Sequence, residues 1–311
     1  MPLKLGLGLP QMREYNIGQD IPLVAKAAED IGYQSVYVYE RTLFPLDQSG
    51  EHGLYNVPDL AWPAHYRDVA EPIVSLTLAA AATERITLGT SVLVSGYHAP
   101  FELSRVFATL DNASGGRVLL GLGTGWSQDE FEAAGSHQKS ERGAALDEFL
   151  DVLHAIEGPN PVSYQGNKLK ISASEVGPKP AGHIPVFLAA TNRVAWSRLV
   201  KRADGWMPVA GLQEMASGWQ TLQEIAAEHG RKQAIPVIVR ANCIYSAKHF
   251  EGDDRQLFQG SVAQIIEDLE KHATLGFVDE VLLDLTSTVW DARQLVDVAA
   301  EIFTAVQSAG F

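Results

Sequence analysis

Four short stretches carry residues whose types could do chemistry. Glu40 and Arg41 follow the apolar run SVYVY (35–39). A carboxylate at a strand end can exchange a proton with a bound molecule. A guanidinium keeps its charge and suits the anchoring of an anion instead. A salt bridge between the two is the competing reading. His98, in SGYHAP, is a third acid–base candidate, since an imidazole titrates near neutrality. His52 and His65 lie in a long loop, and a single histidine is more often a surface or structural residue. Gly121, Gly123 and Gly125 form G-x-G-x-G, followed by Trp126. The dinucleotide fingerprint G-x-G-x-x-G opens directly into a helix, and tryptophan at 126 breaks it. Glycines at a strand end let a flat ring approach the backbone, with Trp126 as a wall, or else they pack the strand tightly. Thr191, Asn192 and Arg193 open a helix, so they read either as an ordinary cap or as an anion site with a charged clamp. No His/Cys/Asp/Glu grouping has metal-ligand spacing, and no G-x-S-x-G nucleophile motif occurs.

These stretches must be positioned by something. Eight near-continuous apolar runs, KLGLGLP (4–10), SVYVY (35–39), ITLGTSVLV (86–94), RVLLGLG (117–123), PVFLAA (185–190), GWMPVA (205–210), PVIVRANCIY (236–245) and DEVLLDLT (279–286), have the pattern of buried parallel strands. A segment with helical spacing follows each one. The expectation is an α/β chain folded as a (β/α)8 TIM barrel, one domain over 1–311. Insertion segments interrupt it after the second strand (41–71) and after the fourth (158–183), the latter reading as a hairpin around Gly166. Ser127 and Glu130 have capping-box spacing, which predicts a short helix from Gln128 to near Gly135. The aromatics Phe44, Tyr55, Trp62 and Tyr66 of the long loop are candidates for an apolar lid, and Glu14 and Tyr15 for cavity lining.

The net charge is −14 over 311 residues. So acidic a surface disfavours nucleic acid and anionic membranes as partners. Cys243 is the sole cysteine, so no internal disulfide forms. MPLKLGLGLP lacks the pattern of a signal peptide, and no apolar run reaches membrane-spanning length. A cytoplasmic protein is expected.

R-x-x-LGT at 85–90, A-x-LD-x-x-S-x-GR at 108–117 and LG-x-G-x-GW at 120–126 together resemble the bacterial luciferase-like flavin and deazaflavin oxidoreductases. Y-V-Y-E-R-x-L-F-P (37–45) looks most like the branch that uses coenzyme F420. The resemblance weakens in the hairpin insertion and beyond about residue 245. It implies a (β/α)8 barrel holding F420, or alternatively FMN, at the carboxyl ends of the strands. It also implies a non-prolyl cis peptide at Ser91-Val92 behind the ring, contacts from Gly123, Thr124, Gly125 and Trp126, and phosphate contacts from Thr191, Asn192 and Arg193. Many deazaflavin relatives have Asp-His where this chain has Glu40-Arg41, which leaves Glu40, Arg41 and His98 as catalytic candidates. Sugar dehydrogenases of the family have glutamate at the position of Trp126, which counts against glucose-6-phosphate dehydrogenase activity. The implied function is hydride transfer between F420 and a small organic substrate. The alternatives are an FMN-dependent monooxygenase and a non-catalytic coenzyme-binding paralogue. Resemblance, helped by the apolar segment IVSLTLAAAA (73–82), implies a homodimer.

Overall fold

VLLGLG (118–123) is buried at every position. Such a strand needs packed partners on both faces, and a barrel with an outer helix layer provides them. The computed structural model describes residues 3–311; Met1 and Pro2 of the opening MPLKLGLGLP lie outside the described residues. Eight parallel strands form the barrel: β1 (Lys4–Gly8), β2 (Ser35–Val38), β3 (Thr87–Thr90), β4 (Val118–Gly123), β5 (Val186–Leu188), β6 (Gly205–Trp206), β7 (Ile238–Asn242) and β8 (Glu280–Asp284). Hydrogen bonding runs β7-β8-β1-β2-β3-β4-β5-β6. A parallel bridge between Trp206 and Val237 brings the two ends together. All eight apolar runs are therefore strands, as expected.

Each strand leads to a helix: α1 (Ile17–Ile31), α2 (Pro72–Ala82), α3 (Pro100–Ser114), α4 (Arg142–Glu157), α5 (Arg193–Arg202), α6 (Leu212–Glu228), α7 (Val262–Thr274) and α8 (Ala292–Ala309). No helix is long and apolar enough to cross a membrane, among the described residues. The second insertion is an antiparallel hairpin, Val162–Gln165 with Lys170–Ser174, lying behind α4 rather than directly after β4. The first insertion contains only short 3-10 turns at 50–52, 54–56 and 64–67.

Alternation divides the strand side chains into two cores. Val36, Val38, Leu88, Leu120 and Val186 face the helices. Tyr37, Leu119, Phe187, Met207, Ile238 and Leu282 fill the barrel interior. The large rings fit because glycines face them: a Cβ on Gly89 would lie 2.2 Å from Tyr37, and one on Gly205 would lie 2.2 Å from Phe187. Each of these interior side chains contributes roughly 1.5–3 kcal/mol by burial.

The motif A-x-LD-x-x-S-x-GR serves the fold. Asp111 accepts hydrogen bonds from the N–H groups of Val118 (3.2 Å) and Ala181 (2.9 Å). The Arg117 guanidinium donates to the carbonyls of Ala80, Thr83 and Ile86 and to the Thr83 hydroxyl. Both staple the strand-entry end of the barrel, opposite the end where β4 leads into the glycines.

Candidate functional site

The floor of the site is Val92. The Ser91-Val92 peptide is cis, as the family resemblance implied. Half-buried, Val92 packs on the interior cluster and covers it. Gly123 makes room for it, because a Cβ there would lie 2.9 Å from Val92 Cγ2. Next to it, Thr90 Oγ1 donates to the Gly121 carbonyl (2.8 Å) and accepts from the Gly121 N–H (3.0 Å), clamping β3 to β4. Beyond β3, Leu93 and Val94 pair in parallel with Leu122 and Gly123. Val94 is thus level with Gly123, and Leu122 with Leu188 at the end of β5.

Three residues of this mouth escaped sequence reasoning. Arg240 in the middle of β7 donates through Nη1 to the Ser91 carbonyl and pairs through Nη2 with Asp284 at the end of β8. Its guanidinium also lies 5.1 Å from the ring centre of Tyr39. The hydroxyls of Tyr39 and Ser91 are buried with no protein partner. Burial pushes the Tyr39 phenol well up, so it keeps its proton. The available signal was a charge inside an apolar run: arginine in PVIVRANCIY and the second aspartate of DEVLLDLT. Strands buried on both faces admit a charge only where it is paired.

Glu40 and His98 are brought together. Glu40 continues the helix-facing register of Val36 and Val38, and is 3% exposed. Its carboxylate lies 2.6 Å from His98 Nε2 and accepts from the Val94 N–H at 2.7 Å. Burial pulls the His98 imidazole down, but the bond to Glu40 and the charges of Glu40 and Glu71 outweigh it, and the net shift is upward. The pair braces the loop after β3 from the helix side, while Tyr39 takes the interior register.

The alternative of a Glu40–Arg41 salt bridge is not what forms. Arg41 pairs with Glu130 at 2.7 Å, and Glu130 also accepts from the Thr42 N–H (2.8 Å) and the Tyr97 hydroxyl (3.0 Å). Burial raises the Glu130 carboxyl, against the downward pull of Arg41 and these hydrogen bonds. The short helix Gln128–Ala134 does start after Ser127, whose Oγ caps the Glu130 N–H at 3.2 Å. Only that half of the expected capping box exists, because the Glu130 side chain turns to Arg41 instead of back to Ser127.

Arg41 also sits 5.1 Å from the ring of Trp126, 5.4 Å from Tyr66 and 5.7 Å from Trp62. Trp126 is thus half-buried in an aromatic group and not free at the rim. The long loop is tied to the segment after β4 by His52–Asp129 (2.9 Å), by Asn56 Nδ2 to the Trp126 carbonyl (2.9 Å) and by Lys139 to Asn56 Oδ1 (2.6 Å). Gly125, at φ 73°, turns its Cβ position toward Val94, Phe131 and Tyr97. Tyr15 donates to the Val289 carbonyl, and Glu14 pairs with Arg13 at 3.5 Å. His65 is half-buried, and burial pulls its imidazole down, with Asp284 and Arg240 acting in opposite directions.

Asn192 caps α5 by accepting from the Ala195 N–H at 3.0 Å. Thr191 is exposed just before it. Arg193 does not point to this helix start as a clamp would: its guanidinium pairs with Glu228 at 2.6 Å on the outer surface.

An eight-stranded parallel barrel whose paired charges and aromatic rings gather at the carboxyl ends of its strands has the layout in which such barrels carry an active site. The chain belongs to the luciferase-like monooxygenase family, whose model matches residues 11–296. An uncharacterised protein of Mycobacterium tuberculosis is 34% identical over 220 residues, covering 69% of this chain and 76% of its own. An F420-dependent glucose-6-phosphate dehydrogenase of Nakamurella multipartita is 31% identical over 192 residues, covering 60% of this chain and 51% of its own. Among solved structures, an F420-dependent secondary alcohol dehydrogenase superposes with a TM-score of 0.75 at 16% identity, over 98% of this chain and 99% of its own. The F420-dependent tetrahydromethanopterin reductase of Methanopyrus kandleri gives 0.72 at 17%, over 97% and 98%. At such identities these two matches show the fold alone.

Proposed function

We propose that the protein is an oxidoreductase that transfers hydride between coenzyme F420 and a small organic substrate at the mouth of the barrel. The observation that carries this reading is the floor made by Val92, a half-buried apolar side chain set on a closed apolar interior. It is flanked by two buried hydroxyls without partners, Tyr39 and Ser91. A flat ring with polar edges fits such a seat, since it needs apolar support on one face and donors at its rim. The named F420 dehydrogenase relative favours the deazaflavin over FMN.

When bound, the deazaflavin supplies a ring carbon that accepts or gives hydride. Val92 and the backbone of Gly123, Thr124 and Gly125 support the ring, and Ser91 and Tyr39 offer hydroxyls to it. The first free N–H groups of α5, after Thr191 and Asn192, take the phosphate; Arg193 contributes its N–H and not its guanidinium. Arg240, fixed by Asp284, holds the Ser91 carbonyl and so the position of the floor. Arg41 holds the aromatic loop over the site. Glu40 and His98 set the loop after β3 from behind. His65, which packs against Tyr66 and whose imidazole burial pulls down, is the group on this side able to exchange a proton. The protein works in the cytoplasm as one domain and as a homodimer through α2, under this reading.

Equilibrium dialysis of the protein against F420 and against FMN, separately, tests the proposal. Retention of F420 at micromolar concentration with weaker FMN retention is the expected result. Tight FMN and no F420 would make it a monooxygenase of the kind named among its relatives, such as limonene 1,2-monooxygenase of Rhodococcus erythropolis, 28% identical over 169 residues.

A further inference from the structure

The rings beside the mouth form one unbroken wall, whose accessible part is Tyr55 with the half-buried Trp126 and Tyr66, backed by the buried Trp62 and Tyr39. Tyr55 meets Trp126 at 5.1 Å between ring centres, Trp126 meets Trp62 at 4.7 Å, Trp62 meets Tyr66 at 6.3 Å and Tyr66 meets Tyr39 at 5.8 Å. The wall starts on the long loop and ends at the ring over which Arg240 lies.

The other half of the mouth is apolar for a separate reason. Eleven large apolar side chains are exposed on the described surface; seven of them lie in the connections that leave the carboxyl ends of the strands, and Val194 lies in the first turn of α5. Across from the wall these are Val194, Val209, Ile244 and Trp290, after β5, β6, β7 and β8. Trp290 is 62% exposed, and its Nε1 donates to the Ser287 carbonyl at 3.1 Å, so its polar atom is satisfied while its ring faces solvent. Exposed apolar groups concentrated on one end of a protein mark a place where something apolar binds.

Charge points the same way. Of the cations that touch the wall or its loop, the two nearly buried ones are ion-paired, Arg41 with Glu130 and Arg240 with Asp284, while Lys139 meets the neutral Asn56 amide and the exposed Arg67 lies against the face of Phe44 at 4.3 Å. A phosphate or carboxylate seated against the rings would have to displace Glu130 or Asp284 to reach Arg41 or Arg240, which costs more than it returns in a partly buried site.

From these three observations we infer that the substrate is a neutral molecule with an extended apolar body, held between the aromatic wall and the Trp290 side of the mouth. This deepens the hydride-transfer reading and rests on it, because the bound molecule is taken to be the substrate of that reaction.

Titration calorimetry of the whole protein with unbranched methyl ketones, from 2-butanone to 2-nonanone, tests the inference with and without F420. Affinity should rise about threefold to fourfold for each added methylene, while glucose 6-phosphate shows no binding at the same concentrations. Trp290→Ser and Val209→Ser change exposed residues that the fold does not need. They should flatten the dependence for the longer ketones, so that 2-nonanone loses several-fold more affinity than 2-butanone. Affinity independent of chain length, or tighter binding of glucose 6-phosphate than of 2-nonanone, would overturn the inference. The two readings fail separately. Chain-length dependence with neither coenzyme retained in dialysis keeps the apolar site and removes the hydride-transfer reading. Retained F420 with no chain-length dependence does the reverse.

Discussion

Arg41 and Glu130 are 89 residues apart in sequence and 2.7 Å apart in space, and both side chains are nearly or fully buried. The pair joins the start of the long loop to the short helix after β4, and the wall rings Trp62, Tyr66 and Trp126 gather around its guanidinium. Removing one partner leaves the other charged and unsatisfied. We expect Glu130→Gln to lower the unfolding free energy by about 3 kcal/mol or more, measured by urea denaturation. A change within experimental error would mean that water reaches Arg41 and that the pair does not hold the loop.

Gly125→Val addresses the glycine segment. Its φ of 73° suits glycine, and an added Cβ would lie 2.7 Å from Val94 Cγ1. Left-handed strain of about 1–2 kcal/mol then adds to overpacking of about 1–3 kcal/mol. Thermal unfolding without coenzyme should show this loss. The stability effect is expected first, with weaker coenzyme binding as its consequence, since the new side chain would enter packed protein. A normally stable variant that fails to bind coenzyme would place the ring on that side of the backbone after all.

His98 gives a pH dependence with a definite sign. Its folded-state value lies above the ordinary one of about 6.5, through Glu40 and Glu71 against the effect of burial. The stabilisation is therefore fully present below about pH 6.5 and is lost as pH rises through the raised folded value. The difference in unfolding free energy between the wild type and His98→Gln should be largest near pH ~5.5 and shrink toward pH ~8.5. A difference that grows with pH would contradict the Glu40–His98 pairing.

The assembly state is open to a direct measurement. α2 leaves Val74 57% exposed, with Ile73 and Leu78 only partly covered. Its faces do not separate into apolar and polar, as expected of a helix with apolar contacts on two sides. Light scattering at micromolar concentrations should give the mass of two chains, and Val74→Glu should shift it toward one. A single-chain mass for the unmodified protein would remove the proposed dimer.

What the sequence by itself determined is the frame. Apolar runs such as VLLGLG and DEVLLDL are strands of a parallel sheet with both faces covered, and eight of them, each followed by a helix, match a closed barrel. The amphipathic segments between them, with caps such as Asp291 and terminal glycines such as Gly32, then follow as helices. The cis peptide at Ser91-Val92 was legible only through resemblance, since no local residue type demands it. The partners of the charges were decided by tertiary structure alone. Arg41 chose Glu130 over its neighbour Glu40, Glu40 took His98, and Arg193 left its helix start for Glu228. Adjacent residues on a strand point to opposite faces, so closeness in sequence separates them in space. Arg240 and Asp284 came together for the complementary reason: β7 and β8 are neighbours in the barrel, in register with Asn242 opposite Asp284. A charge placed inside an apolar strand shows in the sequence, but which strand will answer it depends on the order in which the sheet closes.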